Sequence, residues 1–301
     1  MTMRDPGRSP SGPVADAMRR AKHRAWVLKK HAGWGFPQYR GPITDPFWRA
    51  MQTFVPYAFP QEKYARTWLG HDEPLRSIPW GEPLPRRIFV VWTGDNPMST
   101  NRLRGLDSLR AANSDVEVVV VDPHTLSDWL VPGQPLPQGY ENLSLVHRSD
   151  VLRCYLLHHH GGGYADVKPF DSSWSQSFLE LERSDHWALG YTEVHRFNTP
   201  LVGGTLQSDL HRVSRQLFGY GALIMRAHTP LTKEWLDRVD ALLASRAGEL
   251  AAHPGNVRGD NPGYPFGWTE LLAHVVAPLT WKYQAHVLHD NRIRPRLRNY
   301  Q

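Results

Sequence analysis

Two short apolar runs stand out early in the folded part of the chain. Arg87-Ile88-Phe89-Val90-Val91-Trp92 and Val116-Glu117-Val118-Val119-Val120-Val121 are rich in β-branched residues and nearly free of polar ones, the mark of buried strands. Between them, Asn101 to Ala112 carries Leu103, Leu106 and Leu109 at helical spacing. Strand, helix, strand in that order predicts a βαβ unit with a parallel sheet. Further on, Gly219 to Ala227 reads as a strand and Thr232 to Ala247 as an amphipathic helix through Trp235, Leu236, Val239, Leu242 and Leu243. A second helix is predicted from Leu271. The fold class is therefore α/β.

The segment His147 to Phe170 has a different character. From Arg148 to His160 there is no Gly or Pro, and Leu152, Tyr155, Leu156 and His159 recur at helical spacing. With Ser149 or His147 near the N-cap, Asp150 falls in the first turn, where a carboxylate suits the helix dipole. Asp150 and Arg153, three apart, share a face. Gly161, Gly162 and Gly163 stop the helix, because glycine accepts the left-handed cap and a close backbone approach. Tyr164 to Lys168 follows as a short strand closed by Pro169, with Tyr164, Asp166 and Lys168 on one face. That spacing puts the two charges roughly 7 Å apart. Charges gathered where a buried helix meets a buried strand are costly, which favours a ligand over a solvated ion pair.

The run Ser149, Asp150, Arg153, Leu157, Gly161, Gly162, Tyr164, Asp166 resembles the core of the DXD glycosyltransferases with a GT-A fold. Within them it is closest to the group of mannosyltransferases, capsular polysaccharide synthesis proteins and glucosylating toxins. Lys168 stands where that pattern has its second carboxylate. Arg87 to Gly94, with the turn Gly94-Asp95-Asn96-Pro97, is similar to the family's opening strand and nucleotide loop, and Asn261 to Glu270 is similar to a late loop of capsule-type members.

The resemblance implies a Rossmann-like nucleotide-diphospho-sugar transferase fold over residues 84–301, with a mixed central sheet flanked by helices. It implies a UDP- or GDP-hexose donor, a saccharide or lipid-linked acceptor, and transfer with retention at the anomeric carbon. By the same resemblance Asp150 and Arg153 bind the donor sugar, Asp166 reaches a metal or the ribose, and Gly162, Gly163 and Tyr164 line the donor site. Trp92, Thr93 and Gly94, at the carboxyl end of a strand, are candidates for the nucleotide. Trp268 and Glu270 are candidates for the acceptor, Glu270 equally well a first-turn charge complementing its helix.

A departing diphosphate develops negative charge, which a divalent metal held by the two DXD carboxylates ordinarily neutralises. Here two explanations compete. Either Mn²⁺ or Mg²⁺ is retained through Asp166 with Lys168 alongside, or Lys168 itself supplies the fixed positive charge. Family habit favours the metal.

Composition adds less. At 301 residues with 41% hydrophobic content the chain suffices for one large α/β domain plus an extension. No apolar run approaches the roughly 20 residues of a membrane span, and Met1 to Gly7 lacks the apolar core of a secretory leader. The single cysteine, Cys154, excludes an intrachain disulfide and fits a reducing compartment, so a cytoplasmic location is expected. Charge is uneven. Residues 1–40 hold nine basic and two acidic side chains, net +7, and the remaining 261 hold 26 and 27, net −1.

Residues 1–13 read as a disordered tail. Residues 14–83 read as a basic helix, Val14 to His31, followed by an aromatic, Pro-rich extension containing Trp34, Phe36, Tyr39, Phe47, Trp48, Phe54, Tyr57, Phe59, Trp68 and Trp80. The helix is a candidate for peripheral contact with the inner face of a membrane or for packing on the domain. Nucleic acid is not an expected partner, because the basic excess stops there. His158-His159-His160 is read as a helix terminus complementing its dipole rather than as a metal tract, because consecutive helix residues point different ways. No zinc-protease, serine-hydrolase or P-loop motif occurs. Two classes remain: a hexosyltransferase, and a non-catalytic nucleotide-sugar or carbohydrate binder of the same fold.

Overall fold

The computed structural model describes residues 57–79, 81–193 and 198–297. The expected tail, the basic helix from Val14 to His31, the aromatic positions from Trp34 to Phe54, and Trp80 lie outside them. A compact unit runs from Tyr57 to Gln301. Residues 57–79 of the expected extension belong to it, since Tyr64, Leu69 and Ile78 are buried in its core.

Its centre is a six-stranded mixed sheet in the order β2-β1-β3-β5-β4-β6. The strands are β1 Arg87–Val91, β2 Glu117–Val121, β3 Gly162–Ala165, β4 Ala188–Thr192, β5 Phe218–Met225 and β6 Val287–His289. β1 pairs in parallel with β2 and β3, and β4 with β6, while β5 runs antiparallel to both of its neighbours. The expected βαβ unit is present, with helix α1 (Thr100–Ala112) between β1 and β2 and Ser99 capping it at Arg102 N. β2 lies at the sheet edge, so Val118, Val119 and Val120 are half-covered and only Val121 is buried.

Alternation along the strands separates two cores. Phe89, Val91, Tyr164, Leu223 and Met225 face one layer of helices: α2 (Leu145–His159), α5 (Pro230–Ser245) and α7 (Ala273–Lys282). Ile88, Val90, Ala165, Ala222 and Ile224 face α1 and α3 (Ser175–Glu182) through Leu106, Leu109, Phe178 and Leu181. Two shorter helices, α4 (Gly204–Arg212) and α6 (Ala247–Ala252), complete the unit. Cys154 is fully buried in α2, as packing requires. Among the described residues no helix is long and apolar enough to cross a membrane.

Helix α2 starts earlier than the periodicity suggests. Ser144, whose hydroxyl accepts from His147 N, is its N-cap, and Asp150 therefore lies in the second turn and gains little from the dipole. The glycine stop behaves as expected: Gly161 (φ 64°) and Gly162 (φ 93°) take left-handed conformations. At Gly162 a Cβ would lie 3.0 Å from the Arg87 carbonyl, so no other residue fits without displacing β1. β3 then ends at Ala165, sooner than expected, and the chain bends through Val167 and Lys168.

At the far end of β5, Arg226 is 1% exposed and donates to the carbonyls of His186, Glu82 and Leu181. The Leu181 oxygen, in the last turn of α3, also accepts from Ser184 N at 3.2 Å and from Ser184 Oγ at 2.9 Å. Replacing Arg226 by Met takes the guanidinium donor from the His186 and Glu82 carbonyls and leaves Leu181 O with Ser184 alone. We expect a loss of about 3 kcal/mol in urea denaturation, since each buried unsatisfied carbonyl costs roughly 1–3 kcal/mol.

Candidate functional site

The strand order supplies the location. From β1 the chain leaves to β2 on one side and returns to β3 on the other, so the loops after β1 and β3 diverge at their carboxyl ends and open a crevice. The loop after β1 is docked on the start of α2, where Thr93 Oγ1 donates to the Leu145 carbonyl at 2.7 Å. A Cβ at Gly94 would meet the Leu145 side chain at 2.9 Å. Trp92 is half-buried, and its ring nitrogen donates to Asn96 O at 2.7 Å. A small open cavity of about 120 Å³ lies beside this loop, lined by Thr93, Val121, Asp122, Tyr140, Arg148 and Leu152 among others.

The charged cluster forms where α2 crosses the end of β3. Arg153, its side chain 5% exposed, is the hub. Its Nη2 donates to Tyr164 Oη at 3.0 Å and to Asp166 Oδ1 at 3.1 Å, and lies 3.4 Å from Asp150 Oδ1. Nη1 donates to the Tyr220 carbonyl of β5 at 2.6 Å. The guanidinium lies over the Tyr164 ring, 4.2 Å from its centroid. Arg153 Nε and Tyr220 Oη are buried with no hydrogen-bond partner among the described residues.

Asp166 and Lys168 do not share an extended strand face. The bend after Ala165 folds Lys168 back, so that Nζ donates to Asp166 Oδ2 at 2.8 Å instead of standing roughly 7 Å away. Gly221 makes room for the pair: a Cβ there would lie 3.1 Å from Asp166 Oδ2 and 3.4 Å from Lys168 Nζ. Burial works to raise the Asp166 pKa, but Lys168 and Arg153 outweigh it and hold the carboxyl below its usual value. Asp150 differs. Burial, reinforced by the Asp166 charge and only partly offset by Arg153, pushes it up to about 7.

Of the residues singled out in the sequence, Asp150, Arg153, Tyr164, Asp166 and Lys168 come together. Thr93 and Gly94 line the neighbouring loop. Gly162 and Gly163 lie inside the sheet against Arg87, Pro85, Ile88 and Trp174 and do not reach the cluster. Glu270 is an internal support: it pairs with Arg246 and accepts from Gly267 N. It lies ahead of α7, which begins at Ala273 rather than Leu271. Its loop is anchored to α2 by His147, whose ring meets Tyr264 Oη at 2.7 Å and Gly267 O at 3.0 Å, and it presents Trp268, 51% exposed.

Arg102 and Tyr191 also border the cluster, and the sequence did not reveal them. Arg102 donates to Val167 O and adds to the positive field at Asp166, while Tyr191 Oη accepts from Gly221 N at 3.4 Å. Neither belongs to the motif, and both arrive from elements remote in sequence.

A divalent cation of the Mn²⁺ or Mg²⁺ kind requires several oxygen donors. The expected site offers one firm carboxylate, Asp166. Its Oδ1 accepts from Arg153 and Tyr164 and its Oδ2 from Lys168. The second carboxylate of the pattern is the lysine itself, and Asp150 is half-protonated near neutral pH. These residues do not fit such an ion.

No family model and no curated protein matches this chain. Among solved structures, one named PaToxG glycosyltransferase is similar, at 14% identity, covering 68% of this chain and 71% of that one with a TM-score of 0.39.

The raised Asp150 pKa makes stability depend on pH. Between about pH 4 and pH 7 the folded chain keeps a proton that the unfolded chain has lost, so this contribution to stability falls as pH rises through that window. Asn at position 150 stays neutral throughout. Asp150→Asn is expected to exceed the wild type in stability above pH 7 by up to about 4 kcal/mol, the gap closing towards pH 4. Urea denaturation of both proteins across pH 4–8 measures it; a gap that does not change with pH would contradict the assignment.

Proposed function

We propose that this protein is a glycosyltransferase that moves a hexose from a nucleoside-diphosphate sugar to a hydroxyl acceptor. One observation carries the reading: Asp150, Arg153, Tyr164, Asp166 and Lys168 converge at the crevice between the ends of β1 and β3, beside a small open pocket. Open α/β sheets bind ligands at such a crevice. Their residue types and order are those of the DXD transferases, with one change.

In this reading the nucleotide occupies the pocket beside Thr93, with Trp92 and Gly94 shaping its entrance. Asp150 and Arg153 hold hydroxyls of the donor sugar, and the diphosphate lies against Lys168. Asp166 orients the ammonium. Transfer breaks the bond between the anomeric carbon and the diphosphate oxygen and forms one from the same carbon to the acceptor oxygen. The acceptor proton passes to the departing phosphate. Positive charge fixed in advance at Lys168 meets the negative charge that grows on that oxygen, and a fixed, partly buried cation needs no reorganisation as the charge develops. The reaction then runs without a divalent metal. No carboxylate of the cluster is positioned as a nucleophile by the sequence pattern, which favours departure and attack on one face and so retention. Trp268 offers a flat apolar surface for a saccharide or lipid-linked acceptor.

The Lys168–Asp166 pair also favours a second reading, a binder of nucleotide sugars without transfer, because it closes the carboxylate against a metal.

Thermal shift with UDP- and GDP-hexoses, with and without Mn²⁺, followed by donor hydrolysis, separates the two. Transferase chemistry predicts stabilisation by a donor without metal. It also predicts metal-independent hydrolysis that falls at least ~100-fold in Lys168→Ala, the scale on which loss of one preorganised stabiliser acts. Lys168→Asp, which restores the carboxylate pair, is expected to make turnover Mn²⁺-dependent. Binding without turnover supports the second reading. If no donor binds, and Asp150→Ala and Asp166→Ala behave as wild type, both fail.

A further inference from the structure

The other end of α2 gathers a separate set of side chains. His158 and His159 lie in its last turn, and His228 meets them from the turn joining β5 to α5. One imidazole nitrogen from each lies within 4.8 Å of the others. The ring centroids of His158 and His159 are 4.8 Å apart, those of His158 and His228 4.9 Å, and those of His159 and His228 5.9 Å. His158 is buried, His159 half-buried and His228 exposed, so the cluster opens to solvent on one side. His160, which the sequence groups with them, turns away to the Trp129 carbonyl.

His158 is held from one side. Its Nδ1 is 3.1 Å from Thr232 Oγ1, a hydroxyl also within hydrogen-bonding distance of Thr229 O, N and Oγ1. A ring held at one nitrogen by an oxygen partner is the usual arrangement of a metal-ligating histidine.

His228 supplies a second observation. At φ 54° it is the one non-glycine residue with positive φ among the described residues. Its own N–H donates to His158 O at 2.9 Å, which fixes the strained turn against the end of α2. Histidine there has a conformational cost that glycine or asparagine would largely avoid.

We propose that His158, His159 and His228 form a site for a borderline transition-metal ion such as Zn²⁺, with the fourth position open to solvent. Three imidazole nitrogens suit Zn²⁺, Co²⁺, Ni²⁺ or Cu²⁺ and not Mg²⁺ or Ca²⁺. Tetrahedral Zn–N bonds near 2.0–2.1 Å put the nitrogens about 3.3 Å apart. The rings therefore close by no more than about 1.5 Å, through rotation of the half-buried His159 and the exposed His228. Lys233 weighs against a cation here, but it is paired with Asp237. The site is eight residues along α2 from Asp150, about 12 Å by helical rise. Its role is to staple the end of α2 to the start of α5, independent of the transferase reading.

The test uses the full chain, stripped with chelator and dialysed against Zn²⁺ in excess Mg²⁺, with retained metal counted by mass spectrometry. One Zn²⁺ per chain is expected, with a higher melting temperature and, for Co²⁺, the intense visible absorption of a tetrahedral site. His159→Gln, His228→Asn and His228→Gly should each lower affinity by more than the ~10–100-fold that loss of an outer partner costs. Glycine suits the φ at 228, so His228→Gly keeps the metal-free fold, as circular dichroism will show. Failure of the wild type to retain Zn²⁺, or equal retention and equal Co²⁺ spectra in the variants, overturns the proposal.

Discussion

The buried guanidinium of Arg153 joins what the site needs to keep together. From α2 it reaches Tyr164 and Asp166 at the end of β3, the Tyr220 carbonyl on β5, and Asp150 one turn back on its own helix. A cation taken so far out of water is tolerable only with several acceptors around it, so each acceptor is tied to the same point. Removing any one of them leaves the remainder of the charge uncompensated. The position of α2 on the sheet, the end of β3 and the orientation of Asp166 are therefore one arrangement rather than three. Packing alone would not set it, because the apolar residues of α2 would tolerate small shifts along the sheet.

The same crowding explains why Asp150 and Asp166, both aspartates beside one arginine, behave oppositely. Asp166 has two cations in contact and stays charged. Asp150 shares Arg153 with Asp166, has no lysine, and is buried, so its proton is held to near neutrality. A group poised in this way can hydrogen-bond a neutral hydroxyl in either direction, as donor or acceptor. It also lowers the stability of the ligand-free fold, a cost common where side chains are arranged for a ligand rather than for the chain itself.

Much of this was legible in the sequence where the rule is local. The period of β1, α1 and α2, the glycine stop and the three-residue spacing of Asp150 and Arg153 depend only on neighbours along the chain. The parts that were not legible depend on distant partners. Ser144 rather than Ser149 caps α2 because Tyr264, 120 residues on, holds Ser144 N and His147 in place. Lys168 turns back to Asp166 because β3 meets β1 at only two positions, Gly163 and Tyr164, and because β5 carries a glycine opposite. Alternation presumes a strand that continues, and this one stops. β2 looked buried because four valines in succession look alike in an edge strand and a central one. His228 gave no signal at all, since its partners precede it by some 70 residues and its own turn has no motif.

Helix α2 shows how polar chemistry is carried through a core. Ten of its fifteen residues are buried, so it has no solvent face on which to put charge. Its polar residues instead form a stripe, His147, Asp150 and Arg153, three residues apart, with His158 closing the helix. Each is met by a dedicated element: the Tyr264–Gly267 loop at His147, β3 and β5 at Arg153, α5 at His158. An apolar residue in any of these places would pack as well and remove the need for the partner. The retention of polar contacts along the full length of one buried helix thus argues that the ligand crevice and the helix C-terminus are both built for something other than stability.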